Sequence, residues 1–393
     1  MKRIKEQLLP FERLTREDGH YFFGYYDIEP WSADGRFHLA HRVPFMDRMP
    51  SPADRADIGM IRMRDNRFIP LAETYAWNFQ QGAMLQWHPL QPASIIYNAL
   101  RNGAYRGVIL DTVTGVERTL SRPVANVDPA GRYALSINFS RMFDFRPGYG
   151  YAGIPDRFAA DDFPKDDGIF LIDLSSGESR LIIPLAALRE VFHDVDLAGM
   201  KLLVNHITFN TDGSRFVFLL RTMASANSSG GVFWKTATLT ANTDGSDVFV
   251  LGDFGMASHY IWRTKNELLI YADAGEGAGL NLLNDRTRDH ALIDKGFFTY
   301  DGHCSYSLDK NFILYDSYPD ADGYRKLVMY DIKRKRGMNL AVLHHGRMDA
   351  LPCTDIRCDL HPRFSRDGNT ISFDSIHEGH RHIYTMDVGS IIQ

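Results

Sequence analysis

Cysteine is nearly absent: the 393 residues hold three, Cys304, Cys353 and Cys358. An odd number with no Cys-x-x-Cys pair excludes a disulfide framework and suits a reducing compartment. Long apolar runs are missing too. No stretch approaches the roughly eighteen residues a membrane helix needs, and Met1-Lys-Arg-Ile-Lys-Glu-Gln-Leu-Leu-Pro10 has no apolar core of about seven residues behind its basic start. The expectation is a cytoplasmic protein with no membrane partner. A surplus of positive charge is also lacking: the formal net charge is −5, which disfavours nucleic-acid backbones as partners, so any anionic ligand needs a local basic pocket. Finally, no Gly-x-Ser-x-Gly elbow occurs, which removes the usual signature of a serine hydrolase.

What the chain does have is histidine at one register of a repeat. His206-Ile-Thr-Phe-Asn-Thr-Asp212, His259-Tyr-Ile-Trp-Arg-Thr-Lys265, His303-Cys-Ser-Tyr-Ser-Leu-Asp309 and His361-Pro-Arg-Phe-Ser-Arg-Asp367 each place an aromatic three residues after the histidine. With 15 histidines in the whole chain, four at one register point to a requirement for imidazole. The aromatic and its polar turn recur without histidine at Trp31-Ser-Ala-Asp-Gly-Arg-Phe37, Trp87-His-Pro-Leu90 and Asp128-Pro-Ala-Gly-Arg-Tyr133, which makes seven units. Each turn leads into an apolar strand such as Phe216–Leu220 or Phe312–Tyr315, as in a hairpin. Outer hairpins follow, as at Val108-Ile-Leu-Asp-Thr-Val-Thr-Gly115 and Ile169-Phe-Leu-Ile-Asp-Leu-Ser-Ser-Gly-Glu178.

Four antiparallel strands repeated at spacings of roughly 40 to 60 residues read as an all-β, seven-bladed β-propeller, one domain over residues 1–393. A longer gap between the third and fourth markers predicts an insertion between blades 3 and 4 over about 140–168, folded over one face. A short helix is expected from about Leu185 to Phe192, opened by Pro184, and a mobile loop over about 222–232.

In a propeller the first strand of each blade lines the axis, so the four histidines converge, while Ile28, Met84 and Val124 hold the register in blades 1 to 3. Imidazole is the commonest ligand of divalent transition metals. Asp359, two residues before His361, faces the same side by strand alternation. His259, His303, His361 and Asp359 are therefore the candidate metal ligands, with His206 left as a base. Tyr25 or a water is the candidate proton donor, and Arg221 or Arg42 the candidate anchor for an anionic substrate. His377-Glu-Gly-His-Arg-His382 is also rich in ligands but reads as a solvated hairpin turn.

The His-x-x-aromatic entries, the Arg-Phe-Ser-Arg-Asp-Gly turn and His361-Pro-Arg-Phe364 together resemble the oligogalacturonate lyase family, most strongly from His206 to Tyr384. The resemblance implies β-elimination at a uronate residue of an oligosaccharide, with manganese as the divalent ion; zinc, calcium and iron also suit oxygen and nitrogen ligands. It implies a base at His206 and ligands at His259 and His361. Where the family has a further histidine ligand this chain has Asp359, its glutamine ligand falls near Ile356, and its substrate arginine falls near Gly168. Two other readings stay open. One is a non-catalytic propeller of the TolB type binding protein or glycan. The other is a glycoside hydrolase, for which Asp27 and Asp359 are the nominated carboxylate pair. Oligomeric state is not written in the sequence.

Overall fold

A computed structural model describes residues 3–16, 18–224 and 234–392. The repeating turn is built by the same hydrogen bonds in blades 1, 6 and 7. Ser32, Ser307 and Ser365 donate to the aspartate two residues on, Asp34, Asp309 and Asp367, at 2.7, 2.6 and 2.6 Å. Each serine oxygen then accepts the backbone N–H five residues on, at 3.0 Å from Phe37, Phe312 and Thr370. A short polar side chain that mimics a backbone turn folds the first strand of a blade onto the second.

Among the described residues seven antiparallel sheets result, six of four strands and one of five. Blade 4 shows the pattern at full length: Met200–Phe209 lies innermost, followed outward by Arg215–Ala224, Thr236–Asn242 and Phe249–Gly255. The seven-bladed expectation holds. Blade 7 takes Arg363–Phe364, Thr370–Ser375 and His382–Asp387 from the end of the chain, and Phe11–Arg13 from its start as the outermost strand. Ile4–Gln7 adds a fifth strand to blade 6. The second and third strands of the blades carry many of the fully buried residues, among them Leu39, Ile58, Tyr97, Phe218, Leu269, Leu314 and Phe373, which pack in the apolar core.

The insertion is not between blades 3 and 4. Tyr133–Ser136 pairs with Gly168–Asp173 in one sheet, so the long segment joins the second and third strands inside blade 3. The marker spacing is the same for either position, because it counts residues and not strands. The segment carries a helix at Phe139–Phe145, capped by Asn138, whose side-chain oxygen accepts from Ser140 and Arg141. Arg141, 2% exposed, ties it down through Asp156 and the carbonyls of Leu202 and Asp162. The expected second helix forms at Leu185–Val191 with Pro184 as its N-cap. The loop expected over 222–232 lies mostly outside the described residues; Met223 and Ala224 complete a strand. His377 and His382 are buried, at 4% and 5% exposure, and not solvated: His377 meets Ser375 and packs on Phe11 and Tyr384, while His382 meets Thr15.

Candidate functional site

Local backbone irregularity aims the histidines at the axis. In blade 4 the register with the second strand slips between Asn205 and Ile207, and His206 sits in that bulge with φ of +51°. His361 has φ of +42°, and Ala257–Tyr260 of blade 5 carries a similar register shift around His259. A non-glycine residue in the left-handed region costs on the order of 1–3 kcal/mol, and such strain clusters where a side chain must be re-aimed. Met84, near the corresponding position of blade 2, also has a positive φ, +53°.

Three of the four rings pack together. His303 is centred 4.0 Å from His259 and 4.2 Å from His361, with the Nε2 atoms of His303 and His361 3.2 Å apart. Carboxylates hold the far nitrogens: Asp301 is 3.0 Å from His259 Nδ1, and both oxygens of Asp316 are 3.0 Å from His303 Nδ1. That pairing places N–H on Nδ1 and leaves the Nε2 lone pair facing the cluster, the arrangement of metal-bound histidines. His361 Nδ1 is buried without a partner. Ligand atoms of His303, Asp359 and His361 all lie within 4.8 Å of one another. Two nitrogens about 2.0–2.1 Å from a common ion stand about 3 Å apart, so the residues fit a divalent cation. Asp359 shares its charge with Arg325 at 2.7 Å and Arg357 at 2.8 Å; burial raises its pKa, but the two guanidiniums outweigh this and hold it ionised.

His206 stands in a different setting. Its Nε2 is 3.2 Å from the Tyr25 hydroxyl and its Nδ1 3.5 Å from the Gln81 amide, and its ring lies flat against Tyr25, 4.8 Å between centroids and 6° between planes. Burial lowers its pKa well below 6.5, and Arg221 adds to this, so the ring is neutral near pH 7. Burial raises the Tyr25 phenol well above 10, which keeps it protonated. The insertion in blade 3 delivers Tyr149, edge-on to His206 at 5.4 Å, and Arg146, stacked on Tyr149 at 4.2 Å. Arg221 is 2% exposed, lies over Trp234 at 4.5 Å, and has two buried N–H groups, Nε and Nη1, with no acceptor among the described residues. Burial brings its pKa down to about 10, which still leaves it charged. Unsatisfied guanidinium donors inside a protein are costly, and an incoming anion would satisfy them.

Arg42 is not brought to this cluster. It pairs with Asp57 at 2.7 Å and stacks on Phe68 at 5.0 Å, so its charge is engaged within blade 1. The two carboxylates of the hydrolase reading stand in different states: Asp359 is held ionised between Arg325 and Arg357, whereas burial pushes Asp27 up to about 6 against the hydrogen bond it accepts from Thr208 at 3.0 Å. Residues missed by sequence reasoning include Arg146, Tyr149, Arg325, Arg357 and Gln81, which come from loops and strands outside the repeat register. Asp301 was within reach, since it lies two residues before His303.

Neither a protein-family model nor a curated protein sequence matches the chain. Among solved structures, an oligogalacturonate lyase from Vibrio parahaemolyticus aligns with a TM-score of 0.66 at 15% identity, over 99% of this chain and 96% of that one. An oligogalacturonate lyase in complex with manganese aligns at 0.65 and 14% identity, over 100% of both chains. Across its whole length, then, this chain has the seven-bladed β-propeller fold of the oligogalacturonate lyase structures.

Proposed function

We propose that the protein is a metal-dependent lyase that cleaves a uronate-containing oligosaccharide by β-elimination. The observation that carries this is the division among the four histidines. His259 and His303 are each backed by a carboxylate, as metal ligands are, whereas the partners of His206 are neutral. A divalent ion, manganese by analogy with the manganese complex of the structural neighbour, would be held by His303, His361 and Asp359, whose ligand atoms converge, with His259, its ring 4.0 Å from that of His303, as the further ligand. When bound, it supplies positive charge that offsets the second negative charge a uronate carboxylate gains as C5 is deprotonated.

The remaining work falls to the chain's own groups. Neutral His206 accepts the C5 proton. The C4–O4 bond breaks as the C4–C5 double bond forms, and O4 takes a proton from the Tyr25 hydroxyl. Tyr25 recovers that proton from His206 across their 3.2 Å contact, so acid and base return to their starting states. Arg221, with Arg146 nearby, offers unsatisfied N–H donors to a sugar carboxylate.

The test is elemental analysis of the purified protein together with ultraviolet absorbance during incubation with oligouronides, because elimination creates a conjugated double bond and hydrolysis does not. Bound manganese and rising absorbance support the reading. His206→Ala should then abolish turnover and keep the metal, whereas His259→Ala and His361→Ala should lose both. Retained turnover in His206→Ala would remove it as the base.

A further inference from the structure

The base and the metal-binding half of the site sit on different blades, and a dipeptide from a third blade connects them. Tyr26 and Asp27 are neighbours in blade 1. The Tyr26 hydroxyl donates to the Tyr260 carbonyl at 2.6 Å and accepts from the Tyr260 N–H at 2.8 Å, so one side chain satisfies both backbone groups of the residue after His259. Asp27 accepts from the Thr208 hydroxyl at 3.0 Å, two residues after His206. Thr208 closes the circuit, 3.2 Å from the Tyr260 hydroxyl.

These contacts occur where the fold is least able to supply its own. The innermost strand of a blade has an edge with no neighbouring strand, and both His206 and His259 sit at bulges that interrupt the one ladder they have. The Tyr26 ring, 4% exposed, lies under the histidines, with centroids 5.0 Å from His303, 6.0 Å from His259 and 6.2 Å from His361. We propose that Tyr26 and Asp27 form a positioning clamp that sets the spacing between the His206 base and the His259 end of the metal site. The clamp rests on the lyase reading for the roles of those two histidines.

Two isosteric variants separate its arms. Tyr26→Phe keeps the ring and removes the bonds to Tyr260; Thr208→Val removes the hydroxyl between Asp27 and Tyr260. Manganese is titrated into each protein by calorimetry, and kcat and KM for elimination are measured in parallel. Tyr26→Phe should weaken manganese binding about 10- to 100-fold, as loss of a group that orients a ligand does. Thr208→Val should keep manganese affinity and KM while kcat falls about 100-fold, the effect of a base displaced by about an ångström. Tyr330→Phe, which removes a 2.7 Å bond to Asp294 away from the axis, is the control for simple destabilisation and should leave manganese affinity unchanged. Wild-type binding with unchanged affinity in Tyr26→Phe, or a Thr208→Val defect confined to KM, would overturn the clamp alone. Wild-type protein that takes up no manganese would overturn the lyase reading and the clamp with it. If Tyr26→Phe does not fold, Thr208→Val still decides.

Discussion

Lowering the pH from 7 to 5 should cost the folded protein several kcal/mol through two histidines outside the site. His38 and His41 are both 0% exposed. His38 Nδ1 lies 2.7 Å from the Leu39 carbonyl and its Nε2 3.0 Å from the Ser372 hydroxyl. His41 lies flat on Phe22, 4.9 Å between centroids, and its Nε2 accepts from the Ala83 N–H at 3.0 Å. Burial pushes both pKa values down to about 3, with the Arg363 charge contributing at His38. The unfolded chain titrates near 6.5 and takes up these protons first. The stabilisation is therefore complete above about pH 6.5 and is lost as pH falls from there toward 3. At about 1.4 kcal/mol per pH unit, pH 5 removes about 2 kcal/mol for each histidine, or about 4 for the pair, from a total of order 5–15 kcal/mol. The assay is urea unfolding at the two pH values and constant ionic strength, for wild type and His41→Gln, whose amide oxygen can still accept from Ala83. The variant should start lower at pH 7 yet lose about 2 kcal/mol less on acidification. An identical loss in both proteins would refute the assignment of a buried neutral imidazole at this position.

Asp316→Asn should weaken manganese about 10- to 100-fold by freeing the His303 ring to turn, measured by calorimetric titration. Arg221→Met should lower kcat/KM about 10- to 100-fold, the equivalent of losing a charged hydrogen bond worth about 1.5–3 kcal/mol, and should leave bound metal intact. Saturating manganese at about 100 times its Kd should add about 2.7 kcal/mol to stability, and a chelator should reverse this in a thermal melt. Gly148→Ala should loosen the insertion, because an added Cβ would lie 2.6 Å from Asp355 Cβ; a loss of about 1–3 kcal/mol is expected, with faster limited proteolysis within the insertion.

The repeat was legible because blades 1, 6 and 7 write its turn with the same chemistry and the others keep a polar side chain at the turn. Ser307, Asp309 and Phe312 obey the same hydrogen-bond rule as Ser365, Asp367 and Thr370, so the turn pattern carried the blade count. The histidines were legible for the same reason, since a shared register in the repeat becomes shared depth along the axis. Residues that owe their place to the insertion were not. Arg146 and Tyr149 reach His206 only through a segment anchored by Arg141 on distant carbonyls, and no periodicity encodes that path. Arg42 misled because a strand end near the mouth is compatible with facing either the axis or a neighbouring strand, and Asp57 decided it.

The strand Phe11–Arg13 closes blade 7, and Arg13 pairs with Glu378 at a separation of 365 residues. During synthesis this strand leaves the ribosome long before its partners exist, so it has no ladder to join until His382–Asp387 has emerged. Completion of the ring is thus the longest-range step in folding and a late one. Because long-range pairing is slow, a blade 7 edge waiting for its fourth strand is the segment most exposed to pairing with another chain. A permuted chain that opens at the hairpin between Asp111 and Glu117 and joins the segment after Asp387 to the start of Ile4–Gln7 through a linker would bring Phe11–Arg13 near its partner in sequence while keeping the fifth strand of blade 6, and refolding should speed up with little change in equilibrium stability.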